Sequence, residues 1–108
     1  MSYEVVYTDH FERELKRLSK KHRSIKSDLE SLINSLEIEP SQGDSLGQNC
    51  YKIRMAITSK GKGKSGGARI ITHVYVAATA VYLLSIYDKS EREDISDGEL
   101  KLLLKGIG

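Results

Sequence analysis

Six basic residues are concentrated between positions 50 and 69 of this 108-residue chain, and that stretch contains no acidic residue. They are Lys52, Arg54, Lys60, Lys62, Lys64 and Arg69. The parts of the chain on either side are slightly acidic, so the net charge of +2 conceals one strongly positive segment. Such a segment attracts phosphate, and nucleic acid is the commonest polyanion in a cell. A charged hairpin that only improves solubility is the alternative explanation.

The residues from 50 to 57 alternate between polar and apolar types, which predicts a strand. A period of two places Lys52 and Arg54 on one face of that strand, roughly 6.5–7 Å apart. The run 58–67 (TSKGKGKSGG) predicts a flexible cationic loop, and the strand predicted over 68–76 carries Arg69 and His73 on its more polar face. We interpret His73 as a structural residue, because it lies ~13 Å beyond Arg69 along an extended strand.

The remaining elements follow from apolar periodicity and capping signals. We predict a short strand over 3–8, then a helix that Asp9 caps, then a second helix from Ser24. A surface loop is expected over 39–49. The apolar run 80–87 is typical of a central strand that is buried on both faces. Ser96 predicts the start of a final helix over 97–105.

This order predicts one α+β domain over residues 1–108. It consists of an N-terminal strand, a two-helix hairpin, a three-stranded antiparallel meander and a C-terminal helix. A single cysteine, Cys50, excludes an internal disulfide, and no window reaches the ~18 apolar residues of a membrane span. We therefore expect a soluble cytoplasmic protein without membrane contact. No cofactor or metal site is predicted, and Cys50 is expected to be inert because no histidine is matched to it.

If the helical hairpin covers one face of the sheet, the other face presents polar side chains from three successive strands. These are Lys52, Arg54, Arg69, Ser85, Tyr87 and Lys89. Cations collected on a sheet surface beside a mobile loop are suited to hold an RNA backbone. Arginine grips a phosphate with two parallel hydrogen bonds, whereas lysine acts as a point charge.

Two segments, NCYKIRMAITSKGKGKSGGARIITHVYV and VYLLSIYDKSEREDISDGELKLL, resemble the RelE/HigB superfamily of toxins from type II toxin–antitoxin systems. The GKSGGAR loop and the YDKSEREDIS ending resemble the HigB-type branch in particular. This resemblance implies a RelE-like microbial RNase fold. It also implies an mRNA interferase that enters the A site of the 70S ribosome, cuts translated mRNA and is neutralised by a cognate antitoxin.

The resemblance also implies which residues act. A basic pair on the second strand of the family, an arginine on the third and a basic residue after the fourth are matched by Lys52, Arg54, Arg69 and Lys89. Binding to RNA and the ribosome is then expected at Lys60, Lys62, Lys64 and Tyr87. The implied chemistry needs no metal, because a ribose 2′-OH attacks the adjacent phosphate and leaves a 2′,3′-cyclic phosphate.

We assign Lys52 as the base that takes the 2′ proton, because neighbouring cations disfavour its charged form. Arg54 and Arg69 are expected to stabilise the charge on the phosphorane. Either Lys89 or Tyr87 protonates the departing 5′-oxygen. Two other functions remain open: a ParE-like toxin that poisons DNA gyrase by binding, and an RNA-binding module that has lost the chemistry.

Overall fold

The computed structural model describes residues 2–107, and its helices and strands follow the predicted order with one additional strand. The mixed α+β class is confirmed. In these residues the elements are β1 (Glu4–Tyr7), α1 (Asp9–Lys21), α2 (Ile25–Ile38), β2 (Asp44–Gly47), β3 (Cys50–Met55), β4 (Ala68–Tyr75), β5 (Ala80–Asp88) and α3 (Asp97–Lys105). Within the described part of the chain, no helix has the length and apolar character to cross a membrane.

All five strands form one sheet in the order β1-β5-β4-β3-β2. Strands β3, β4 and β5 are antiparallel neighbours, so the predicted meander is confirmed. Strand β1 lies parallel to β5, with Tyr7 opposite Leu83. Strand β1 pairs only with the first half of β5, and in residues 2–107 no strand pairs with the second half on that side. There the Ile86 N–H donates to the Glu14 carboxylate of α1 instead.

The predicted surface loop over 39–49 is wrong in one respect, because Asp44–Gly47 forms the edge strand β2. Its glycines and its single proline are turn signals, and they obscure so short a strand. Gly43 enters it with a φ of +95°, and a Cβ at this position would lie 2.4 Å from the carbonyl oxygen of Lys52. Glycine therefore permits β2 to approach β3 closely.

The first and last helices start at side-chain caps. Thr8, and not the predicted Asp9, is the cap of α1, and its hydroxyl accepts a hydrogen bond from the Phe11 N–H at 3.3 Å. Asp9 instead lies in the first turn, where a carboxylate interacts favourably with the helix dipole. The Ser96 cap of α3 is confirmed, since its hydroxyl accepts from the Glu99 N–H.

The sheet is covered on both faces. Helices α1 and α2 bury apolar side chains of one face, including Ile53, Ile70 and Ile86. On the opposite face, Leu100 of α3 packs in a second cluster with Ile71 and Tyr87. The prediction that β5 is buried on both faces is confirmed. Because α3 occupies part of the expected cationic face, that face is less open than the sequence indicated.

A β-bulge in β5 changes which side chains share a face. The register shifts between Ile71 and Thr72, which leaves Leu84 as an extra residue. Leu84 therefore packs under α3, although simple alternation placed it with Ile86. Ser85 is buried and its hydroxyl donates to the Glu14 carboxylate at 2.7 Å. Ser85 is paired with Ile71 on the predicted side of the sheet, but it is buried there and is not exposed as predicted.

Gly67 should be the position in the basic loop that tolerates substitution least. A Cβ there would lie 2.2 Å from the carbonyl oxygen of Met55, and backbone cannot move aside cheaply. We expect Gly67→Ala to lower the free energy of unfolding by about 1–3 kcal/mol in urea denaturation. Gly98→Ala is the matched control, because Gly98 is a helical residue with open space around it. A Gly67→Ala protein as stable as the Gly98→Ala protein would contradict this expectation.

Candidate active site

Three side chains of the candidate site lie in one row across the meander. Arg54 of β3 pairs with Arg69 of β4, and Arg69 pairs with Tyr87 of β5. Lys52 lies two residues before Arg54, opposite Ile71. Because side chains alternate along a strand, this register places all four polar residues on the same side of the sheet. The antiparallel pairing thus brings together residues that are far apart in sequence.

Lys52 is half-buried, and its Nζ lies 3.3 Å from Oδ1 of Asp94, in the connection between β5 and α3. The N–H of Ile95 lowers the pKa of Asp94, partial burial opposes this, and the Lys52 ammonium lowers the pKa further. Asp94 is therefore a carboxylate at neutral pH. The proposed general base of the site is thus held by an internal anion.

Arg54 is exposed and borders an open cleft of about 510 Å³ between α2 and β3. Lys64 of the basic loop borders the same cleft. Strand β2 pairs with β3 only as far as Lys52, so within residues 2–107 no strand covers this edge beyond that point. Two cations therefore border an open cleft at this edge of the sheet.

Arg69 is buried, with only 5% of its surface exposed. Its guanidinium donates to the carbonyl oxygens of Lys64, Ser65 and Ala68 at 3.0, 3.2 and 3.1 Å. These bonds fix the C-terminal part of the basic loop and use only part of the guanidinium fork. Arg69 thus couples the loop to the sheet, a role that the sequence did not reveal.

Tyr87 is 2% exposed, and within residues 2–107 its hydroxyl has no hydrogen-bond partner. The guanidinium of Arg92 lies 5.1 Å from the centroid of the Tyr87 ring. Burial raises the pKa of Tyr87, the Asp94 carboxylate raises it further, and Arg92 and Arg69 act in the opposite direction. Tyr87 therefore keeps its proton at neutral pH, as a proton donor must.

Lys89 lies apart from this row. It follows the last residue of β5, and its N–H donates to the carbonyl oxygen of Gly67. Its exposed side chain borders a separate cleft of about 210 Å³, together with Lys60 and Lys62. The predicted RNA-binding lysines 62 and 64 are exposed, whereas Lys60 is engaged in an ion pair.

The partner of Lys60 is Asp88, a buried residue at the end of β5. Its carboxylate lies 2.9 Å from Lys60 Nζ and 3.0 Å from Nε2 of His22, at the end of α1. It also accepts bonds from the N–H and hydroxyl of Ser90. Burial alone would raise the pKa of Asp88, but the bonds from Lys60 and Ser90 hold it well below its ordinary value. This cluster ties α1 and the basic loop to the end of β5.

Cys50 has a histidine neighbour that the sequence analysis missed. Its Sγ lies 3.5 Å from Nδ1 of His73, because the two residues are paired across β3 and β4. Burial raises the pKa of the Cys50 thiol to about 11. The thiol is therefore protonated at neutral pH, which supports the interpretation of Cys50 as inert. In the described residues, no group of three or more potential metal ligands comes together.

Comparison with known proteins identifies the family. The sequence model described as the RelE toxin of the RelE/RelB toxin–antitoxin system matches residues 8–106. The chain belongs to the RelE toxin family. The match includes every side chain of the candidate site, from Lys52 to Asp94.

Solved structures show the same fold as this RelE-family protein. A doubly substituted E. coli RelE in the free state superposes with a TM-score of 0.61 at 20% identity, covering 86% of this chain and 90% of that chain. The toxin–antitoxin complex RelBE2 of Mycobacterium tuberculosis gives a TM-score of 0.58 at 17% identity, covering 82% and 92%. The intact E. coli RelBE complex gives 0.53 at 22% identity, covering 81% and 96%. Assignment to the HigB-type branch stays a prediction.

Proposed function

We propose that this RelE-family toxin is a ribosome-dependent endoribonuclease that cuts mRNA in the A site. The observation that carries the proposal is the shared face of Lys52, Arg54, Arg69 and Tyr87 on three adjacent strands. This face carries a candidate base, a candidate acid and cations that can bind a phosphate. Family membership supports the same activity.

In the proposed reaction, Lys52 in its neutral form accepts the proton of a ribose 2′-OH. The 2′-oxygen attacks the adjacent phosphorus, and Arg54 stabilises the negative charge that develops on the phosphorane. The bond to the 5′-oxygen then breaks, that oxygen receives a proton from the general acid, and a 2′,3′-cyclic phosphate is left. Arg69 contributes a positive field and holds the loop. Protein side chains supply every group, so we propose a metal-independent reaction.

Tyr87 is better placed than Lys89 to be the general acid, because it shares a row with Arg54 and Arg69. We expect Tyr87→Phe to lower the cleavage rate by about 10²-fold or more, since it removes only the transferable proton. Lys89→Ala should affect cleavage less, through weaker RNA binding. Single-turnover cleavage of mRNA on programmed ribosomes measures both. The larger loss with Lys89→Ala would assign the acid to Lys89 instead.

A cognate antitoxin is the proposed protein partner. Two of the similar solved structures are toxin–antitoxin complexes, from E. coli and M. tuberculosis. The exposed cations Arg54, Lys62 and Lys64 offer complementary charge to an acidic antitoxin segment. Covering them would also block access of the toxin to RNA.

Primer extension on a translated message after induction of the protein tests the proposal. Discrete cuts that disappear when translation is blocked are the expected result. An SOS response without cuts would point to gyrase as the target. Ribosome binding with intact mRNA would identify an RNA-binding module that has lost its chemistry. Either of these two results would overturn the proposed function.

A further inference from the structure

The connection between β5 and α3 crosses the face that carries the candidate catalytic residues. Arg92 lies over the Tyr87 ring, and Asp94 reaches Lys52 on β3. The described conformation therefore leaves Lys52 neutralised and Tyr87 covered. Of the row residues, Arg54 alone is exposed.

The position of Asp94 is fixed by several contacts. Its Oδ1 accepts a hydrogen bond from the Ile95 N–H at 2.8 Å, and its carbonyl oxygen accepts from Arg92 Nε at 3.0 Å. Arg92 is in turn ion-paired with Glu99 in the first turn of α3. At the other end of the connection, Glu91 forms ion pairs with Arg17 and Lys21 of α1. These contacts hold the backbone of the connection so that the Asp94 carboxylate lies beside Lys52.

We propose that Asp94 is an internal competitor of the RNA phosphate for Lys52 and so restrains the activity of the toxin. This inference rests on the proposed function and specifies a regulation of the same site. A carboxylate and a phosphate oxygen present the same charge to an ammonium group, and one ammonium cannot be freely available while it is paired. RNA must therefore displace Asp94 from Lys52 before its ribose–phosphate link can contact the lysine.

The charge arrangement explains why displacement is feasible. Asp94 is exposed and Lys52 is only half-buried, so water competes for this contact. Exposed ion pairs are weak and are screened by salt. A rotation of the Asp94 side chain is sufficient, and α3 keeps its packing through Leu100. The restraint that Asp94 places on Lys52 is therefore a moderate one.

Asp94→Asn is the variant that tests the competition. An asparagine oxygen still accepts the Ile95 N–H, so the local backbone should be retained while the charge is lost. We expect this variant to bind about two- to fivefold more tightly at low salt to 70S ribosomes whose A-site codon carries 2′-O-methyl groups, which prevent cleavage. The gain should shrink as salt is raised. Glu93→Gln is the matched control, because it removes the same charge from the neighbouring exposed residue.

The gain in ribosome affinity from Asp94→Asn must depend on Lys52. In a Lys52→Gln background, Asp94→Asn should change affinity no more than Glu93→Gln does. Equal gains from Asp94→Asn and Glu93→Gln, or a gain that persists without Lys52, would overturn the competition. A wild-type protein that binds ribosomes but does not cut mRNA, yet shows the Lys52-dependent gain, would overturn the proposed function alone. Absence of ribosome binding by every variant would overturn both.

Discussion

Replacing Lys52 with alanine is expected to lower the rate of mRNA cleavage by about 10²–10⁴-fold, the usual contribution of a general base. The reason is that Lys52 is the assigned base on the face that it shares with Arg54 and Arg69. Single-turnover cleavage on programmed ribosomes gives the rate, and growth arrest after induction gives the cellular effect.

The fold of this variant should be preserved. Within residues 2–107, Lys52 makes a partly exposed ion pair with Asp94, and such pairs contribute only ~0–1 kcal/mol to stability. Lys101→Ala is the matched control, since it removes the same charge from an exposed position of α3. A Lys52→Ala protein that is folded and still cuts mRNA at the wild-type rate would refute the assigned base.

Replacing Asp88 with asparagine is expected to have the largest effect on stability. Asp88 is 3% exposed and is the shared partner of Lys60, His22 and Ser90. Removing one member of a buried ionic cluster costs about 3–5 kcal/mol, because the remaining charge is left without its partner. For a domain of this size, the midpoint of thermal unfolding should fall by on the order of 10–20 °C. Asp44→Asn, at an exposed edge position, should leave it nearly unchanged.

The lowered pKa of Asp88 predicts how the free energy of unfolding depends on pH. The folded protein lowers the pKa of Asp88, so the unfolded chain binds a proton more readily than the folded one. The stabilisation is therefore complete above the ordinary carboxyl pKa of about 3.9 and is lost as the pH falls below it. Urea denaturation between pH 7 and pH 3 should show the onset of this loss in the wild type. A wild-type protein and an Asp88→Asn variant with parallel pH profiles would contradict it.

Local patterns were sufficient to predict most of the fold. The apolar spacing of the helices, the alternation from 50 to 57 and the Ser96 cap each depend on neighbouring residues, and each is found in the structure. Apart from the one-residue error at the cap of α1, the errors occurred where a distant segment decides the outcome. Strand β2 exists because Gly43 permits close approach to β3, and the bulge at Leu84 exists only in the pairing of β5 with β4. Neither leaves a periodic signal in the sequence.

The same distinction applies to the candidate site, where some features could be predicted from local sequence and others arise only between distant elements. Alternation along the strands, with the expected cover by the helical hairpin, placed Lys52, Arg54 and Arg69 on one face, and the family resemblance added their catalytic roles. The burial of Arg69 against the loop carbonyls, the cover of Arg92 over Tyr87 and the contact of Asp94 with Lys52 arise between distant elements. Asp94 stands in an acidic run that most simply indicates a solvated segment.

The sequence by itself determined where positive charge is concentrated, which residues share a strand face, and the class of fold. These properties depend on residue type and on the side-chain repeat, which is two residues in a strand and 3.6 residues in a helix. Only the tertiary structure decided which of these cations are free to meet RNA. Lys52, Lys60 and Arg69 are each engaged by groups distant in sequence or by loop carbonyls, whereas Arg54 stays exposed. The physical reason is that a charge is neutralised by whatever lies near it in space, and the register of the strands and the path of the β5–α3 connection set those distances.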